Sequence, residues 1–405
     1  MAQLTRIAYL SPLAPTESDI SDYSEALLPQ LCQWAQVDAY TDDRVAATQK
    51  VGRVYPLYGY RDLPAQRERY GHMLYHLGNG PEHVPVFALF QRFGGVAVLH
   101  DLELTAILHA QTVRQDLGFL RTVRRQGGLG PWLQNAGEVL LRGRRLQSGP
   151  ELVSLVMRRA EGVMVHSQAA YEHLRLRFPE ARIAQAPIGI PVPPQIDPLA
   201  ARRALELPED AFICLSLGLD PAKRINVALQ AFARLLDRCP NALYVLIGEP
   251  SPAYPITEQA QTLGIADRVC LTGPVDAVTF DRYLAACDVG ISLAYSAWSG
   301  LSTSVLRIMS HGRPTIVANR LPHSLLPNDC TIKVDVGASE VPQIVAALWA
   351  LSEHQPMRRW YGRQAARYAQ SKHTLSAAAQ RYFDFLYNLE SARAGKELVL
   401  SEQLV

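Results

Sequence analysis

The chain has no C-x-x-C pair. Its six cysteines (Cys32, Cys214, Cys239, Cys270, Cys287 and Cys330) are scattered, several inside apolar runs such as Phe212-Ile-Cys-Leu215. That pattern argues against a disulfide framework or a zinc site and reads as buried free thiols in a reducing compartment. Charge of one sign is also lacking. Forty Lys and Arg face 38 Asp and Glu, a net +2, so no global field recruits nucleic acid. No run approaches the length of a membrane helix. Residues 1–19, with one basic residue and a short apolar run broken by prolines, do not read as a signal peptide. No G-x-G-x-x-G stands at a strand–helix junction and no G-x-x-x-x-G-K-[ST] occurs, which disfavours a dinucleotide enzyme and a P-loop NTPase.

What is present suits two folded domains: 405 residues, 48% hydrophobic and 19% charged. Short apolar runs over 4–10, 37–40, 54–57, 72–77, 96–100 and 163–166 read as strands. A loop rich in Ser, Pro and Asp is expected up to Asp22, then a helix carrying Leu27, Leu28, Leu31 and Trp34, and another helix over 82–93. Strands alternating with helices at this pitch predict a parallel sheet covered on both faces. Residues 105–159 differ, reading as long helices with nine arginines between Arg114 and Arg159. Such a face is either solvated or laid on an anionic membrane.

Five prolines between Pro187 and Pro198 mark a stiff linker. Beyond it, strands are expected over 212–217, 243–247, 269–271, 289–293, 315–318 and 331–334. Helices are expected over 225–236, 257–263, 277–287, 304–311 and 341–352, which is a second doubly wound domain. A last apolar stripe, Leu375, Ala379, Tyr382, Leu386 and Leu389, predicts a packed helix. The expected division is 1–190 for the first domain, with the basic insertion at 105–159, then a linker at 191–200 and a second domain at 201–372. A helix over 373–392 would return to the first domain, followed by a tail at 393–405.

Ligands of such sheets sit at the carboxyl ends of strands, so the residues just past each strand are the candidates. Gly218-Leu-Asp-Pro-Ala-Lys223-Arg224 precedes a helix, so Lys223 and Arg224 are either a diphosphate seat or a solvated pair beside a helix start. Ser302, Thr303 and Ser304 open a helix after a small-residue loop, which is either an anion site or ordinary capping. His100-Asp101 ends a strand of the first domain, where a histidine can bond a sugar hydroxyl or move a proton. Asp22 and Tyr23, after the first strand, would face the same edge. Glu249, past the strand 243–247, stands where a base might lie, and Tyr295 and Trp298 are either stacking rings or packed loop aromatics.

The order and spacing of several short pieces resemble family 4 glycosyltransferases of the GT-B fold, over nearly the whole chain. The pieces are Ser11-Pro-Leu-Ala-Pro15 with Asp22-Tyr23, Tyr75-His-Leu-Gly-Asn79 with His83, Leu99-His-Asp101 and Val165-His-Ser167. They continue with Gly218 and Lys223-Arg224, Leu271-Thr-Gly273, Tyr283 to Asp288 and Gly312-Arg-Pro314. The resemblance implies two Rossmann-like doubly wound α/β domains facing across a cleft. It also implies a nucleotide-sugar donor on the second domain and a polysaccharide, lipid-linked or small-molecule acceptor on the first. Transfer would retain configuration with no cofactor or metal, leaving UDP or GDP in the cleft. His100 would be the catalytic cleft histidine and Asp22, Tyr23 and Asp101 would lie on the acceptor side. Gly218, Lys223, Arg224, Glu249, Ser302, Thr303, Ser304 and Arg307 would hold the donor.

The chain departs from that family at its paired donor glutamates. Ser299 and Arg307 occupy their positions, Leu219 replaces a basic residue, and Asp19 replaces a glycine. An arginine has donors only, so Arg307 cannot accept ribose hydroxyls but can bind an added phosphate or carboxylate. The alternative is an inactive binding or scaffolding subunit of a glycosylation complex. The expected location is the cytoplasm, with peripheral contact at the inner face of the membrane through 105–159.

Overall fold

The structure is a computed structural model and describes residues 6–16, 18–49, 52–104, 107, 153–250, 254–296, 298–393 and 395. The expected basic helices, apart from Ile107 and 153–159, and the tail beyond residue 395 lie outside the described residues.

The chain forms two compact units. The first runs through β1 (Ile7–Leu10), α1 (Asp19–Leu31), β2 (Val37–Thr41), α2 (Asp43–Thr48), β3 (Leu57–Gly59) and β4 (His72–Leu77). It continues through α3 (Val84–Phe93), β5 (Gly95–Leu99), β6 (Ala160–Val165), α4 (Gln168–Arg177) and β7 (Ile183–Gln185). Its seven strands are all parallel, in the order β3-β2-β1-β4-β5-β6-β7. Strands covered on both faces read as continuous apolar runs, and β1 and β2 are buried at every position.

The second unit contains α5 (Pro198–Ala204), β8 (Ile213–Leu217), α6 (Ile225–Leu236), β9 (Leu243–Ile247), α7 (Ile256–Thr262) and β10 (Val269–Leu271). It goes on through α8 (Ala277–Ala286), β11 (Val289–Ser292), α9 (Thr303–Ser310), β12 (Thr315–Ala318), β13 (Ile332–Val334), α10 (Glu340–Glu353) and α11 (Gln355–Lys372). Its six strands are parallel in the order β10-β9-β8-β11-β12-β13, the doubly wound order of a Rossmann sheet. The last helix, α12 (Leu375–Arg393), groups with the first unit, where Tyr382 reaches Tyr23 of α1. So do Trp298–Gly300, with the Trp298 ring 4.6 Å from His173.

Each sheet therefore has one point where the winding reverses: between β1 and β4 in the first unit, and between β8 and β11 in the second. Chains leaving the carboxyl ends of two such strands turn to opposite faces and open a crevice between them. That topology selects the loops that carry chemistry.

Two expectations need correction. The first loop ends earlier than Asp22, because Ser18 accepts from the Ser21 backbone N–H and starts α1 at Asp19. Asp22 and Tyr23 are therefore helical. The edge strand β3 lies at Leu57–Gly59 rather than 54–57, and Val54 is 71% exposed.

Candidate functional site

In the second unit the β8 end turns at Gly218, where φ is +78°, a region glycine enters freely. A Cβ there would come within 2.7 Å of Lys223 Cε, so the lysine stem lies across the glycine. Asp220 caps the next turn through the Ala222 N–H. Lys223 is half-buried, and among the described residues its ammonium makes no ion pair. His323, 2% exposed, feels that charge: burial first and Lys223 second push its pKa down to about 4. A retained cation at the winding reversal of the sheet is a seat for an anion.

Arg224 does not share that role. It adopts the left-handed conformation (φ 56°) at the start of α6, and its guanidinium forks onto Glu340 at 2.8 and 2.6 Å. It also donates to the Leu293 carbonyl at 3.4 Å, which ties the ends of β8 and β11 together. Glu340 is 3% exposed, so the arginine neutralises a buried carboxylate and is not free for a diphosphate. Arg307 is likewise committed. It pairs with Asp281 of α8 at 2.6 Å and lies 4.9 Å from the Phe280 ring centroid, while His311 Nε2 approaches the same carboxylate at 3.2 Å. The carboxylate expected as a ligand for Arg307 is thus supplied by the chain itself.

At the start of α9, Ser302 stands at the cap position but its side chain caps no N–H. Ser302, Thr303 and Ser304 are all half-exposed. The first-turn N–H groups are therefore not satisfied by that side chain. Glu249 is exposed past β9, and Tyr295 is 46% exposed beneath the Arg224 guanidinium.

In the first unit the strand ends collect histidines. His76 lies within β4, His100 follows β5 and His166 follows β6. The pairing of Leu77 with Leu99 and of Leu99 with Val165 sets His100 and His166 at one level. Their rings are 4.6 Å apart, with Tyr23 edge-on to both at 5.5 and 5.7 Å. His166 Nδ1 donates to the Ala186 carbonyl at 3.1 Å, which fixes its tautomer. Burial, then the neighbouring imidazoles, hold His76 and His100 well below the usual histidine range, and burial takes His166 to about 4. The cluster is neutral at pH 7, suited to hydrogen-bonding hydroxyls rather than pairing with phosphates.

The structure thus brings His100 and Tyr23 together. Asp22, on the neighbouring position of α1, is exposed. His76 and His166 were missed as site residues. Their signal was their position at strand ends in register with His100.

Asp101 accepts from the Glu103 N–H at 2.9 Å, yet burial raises its pKa to about 6. Since the folded value exceeds the unfolded 3.8, the stability tied to this group is complete below 3.8 and lost as pH rises through about 6. Asp101→Asn keeps the acceptor and removes the charge. It is expected to stabilise the chain at pH 8 by on the order of 2 kcal/mol, with no gain near pH 3.5. Thermal melts of both proteins at the two pH values check this, and an unchanged or lower Tm at pH 8 would count against it.

The family model described as glycosyl transferases group 1 matches residues 199–365. The matched span lies in the second unit apart from Trp298–Gly300. Lys223, Arg224, Glu249, Arg307 and the start of α9 all fall inside this matched span. Two curated relatives are both D-inositol 3-phosphate glycosyltransferases. The one from Streptosporangium roseum is 32% identical over 131 residues, 30% of this chain and 29% of that protein. The one from Stackebrandtia nassauensis is 32% identical over 145 residues, 31% and 32% of the two chains. The chain thus spans about a third of the length of these relatives.

Among solved structures, sucrose-phosphate synthase from Thermosynechococcus elongatus superposes with a TM-score of 0.67. It is 18% identical, over 96% of this chain and 100% of that one. Anabaena HepE in complex with UDP-glucose gives 0.68 at 15% identity, over 96% and 99%. At such identities the likeness establishes the fold alone: two Rossmann-like parallel-sheet domains.

Proposed function

We propose that the protein is a glycosyltransferase that takes a sugar from a nucleotide-sugar donor. The observation that carries this reading is Lys223, a cation with no ion pair among the described residues, at the β8 end of the sheet within the span that the glycosyl transferases group 1 model matches. In this reading Lys223 neutralises the diphosphate as the bond to the sugar breaks, and the uncapped first turn of α9 adds N–H groups. The neutral imidazoles of the first unit are suited to hydrogen-bonding the oxygens of a sugar. The D-inositol 3-phosphate glycosyltransferases and the UDP-glucose complex of HepE support a phosphorylated or polyol acceptor and a UDP-sugar donor as the first to try.

The reading extends to retained configuration, no metal requirement, a cytoplasmic location and a polysaccharide, lipid-linked or small-molecule acceptor. The test is incubation with UDP-, GDP- and ADP-sugars, scoring donor hydrolysis, transfer and calorimetric binding of the free diphosphates. At least one donor is expected to be consumed, and the anomer of any product reports the stereochemistry. No turnover together with no diphosphate binding would overturn the proposal.

A further inference from the structure

His76 is fully enclosed. Its ring stacks on Tyr382 (5.8 Å, 7° between planes), lies 4.3 Å from the Tyr9 ring, and exposes nothing to solvent. Its Nδ1 is 3.0 Å from Nε2 of His100. Two neutral imidazoles at that distance share one proton between the facing nitrogens, so their tautomers are linked. If His76 donates, His100 must carry its own proton on Nδ1. If His100 donates, His76 must carry its proton on Nε2.

The surroundings choose between these. His76 Nε2 is buried with no hydrogen-bond partner. A proton there would be an orphaned buried donor, a rarer defect than an unused lone pair. The backbone holds the ring in place, since His83 Nδ1 donates to the His76 carbonyl at 3.0 Å. His100 is partly exposed, and its Nδ1 is not among the buried unpartnered nitrogens of the cluster. Nδ1 is therefore the nitrogen of His100 left for a ligand.

We propose that His76 is a positioning residue: it donates Nδ1–H to His100 Nε2 and fixes His100 as the Nδ1–H tautomer, a neutral donor to an oxygen of the sugar substrate. The tautomer follows from the geometry alone. Its substrate rests on the proposed glycosyl transfer. The role of the buried ring is then to keep a strand-end imidazole from presenting a lone pair where a donor is needed, as in other sites where a second group sets a histidine's tautomer.

The test uses the full chain labelled with ¹⁵N-histidine. Long-range ¹H–¹⁵N spectra distinguish the two tautomers, and His100→Gln assigns the His100 signals. The wild type is expected to show His100 protonated on Nδ1. In His76→Asn, an amide donor replaces Nδ1–H and should preserve that tautomer and most of kcat. In His76→Phe, which fills the box without a donor, His100 should shift towards Nε2–H. There kcat should fall about 100-fold with donor KM changed less than about threefold, the signature of a contact made mainly in the transition state.

A wild-type spectrum with His100 protonated on Nε2 overturns the proposal without any variant, so a failure of His76→Phe to fold does not protect it. A shifted tautomer with unchanged kcat overturns the catalytic part. A wild-type chain that turns over no nucleotide sugar overturns the proposed function and the substrate part, while the spectra still decide the tautomer.

Discussion

Lys223→Ala is expected to lower kcat/KM by about 10²- to 10³-fold, roughly 3–4 kcal/mol of transition-state stabilisation, while leaving Tm almost unchanged. The ammonium has no ion pair among the described residues, so its loss strands no buried carboxylate. Its removal also lifts a charge that disfavours protonation of His323. The adjacent Arg224→Ala should behave in the opposite way. It leaves Glu340, 3% exposed, without its forked partner, costing about 2–3 kcal/mol of stability, at the lower side for a buried pair because the guanidinium is 21% exposed. Steady-state kinetics and thermal melts on the two variants separate the roles. If Lys223→Ala retains full kcat/KM, or if its damage is confined to Tm, the diphosphate seat is wrong.

That contrast between neighbours shows where sequence reasoning stopped. Lys223 was legible because a parallel strand buried on both faces reads as an unbroken apolar run, and the residues just past such a run must sit at the carboxyl edge. The same rule located β9, β10, β12 and α6 residue for residue, since β9 is Leu-Tyr-Val-Leu-Ile and α6 buries Ile225, Ala228, Leu229 and Phe232 on one stripe. Arg224 looks identical to Lys223 in sequence. Its partner lies 116 residues away on α10, and no local pattern announces it. Arg307 and Asp281 are separated by 26 residues and meet only because α8 and α9 pack on the same sheet.

Helix α11 was invisible to periodicity for a different reason. It buries only Gly362, Ala365 and Ala369, and a Cβ on Gly362 would stand 2.0 Å from the Gly312 carbonyl oxygen. A helix that packs by close backbone approach needs small residues, not an apolar stripe. His76 and His166 failed to stand out beside His100 for a third reason. Each is unremarked alone, and only strand register sets them side by side.

The second large effect concerns the buried histidines of both units. Folding takes them from water into sites with little compensation: His72 (2% exposed), His166 (6%) and His323 (2%) are each pushed down to about 4 from 6.5. For each, the folded pKa lies below the unfolded one. The associated stability is complete above pH 6.5 and is lost as pH falls through about 4, because the unfolded chain takes up protons that the folded chain refuses. Asp101 runs the other way over nearly the same window and offsets one of the three.

His72 should contribute least. Glu161 and Glu390 each stand 3.9 Å from its ring and would receive the proton's charge, with Arg393 opposing them. In the first unit, His72 and His166 less Asp101 leave one net proton, which over about 2.5 pH units amounts to on the order of 3 kcal/mol, a large share of an ordinary domain's stability. The first unit, which holds His72 and His166, is therefore expected to lose stability steeply between pH 6 and 4, ahead of general carboxylate protonation. Thermal melts from pH 7.5 to 4.5 should show a steep decline in Tm. His166→Gln keeps a side-chain donor for the Ala186 carbonyl but cannot be protonated, so it should flatten that decline by about one proton's worth, near 1.4 kcal/mol per pH unit. A Tm constant to within a few degrees down to pH 4.5 would mean that the imidazoles accept protons in place, and that the cluster proposed for sugar recognition is charged rather than neutral at that pH.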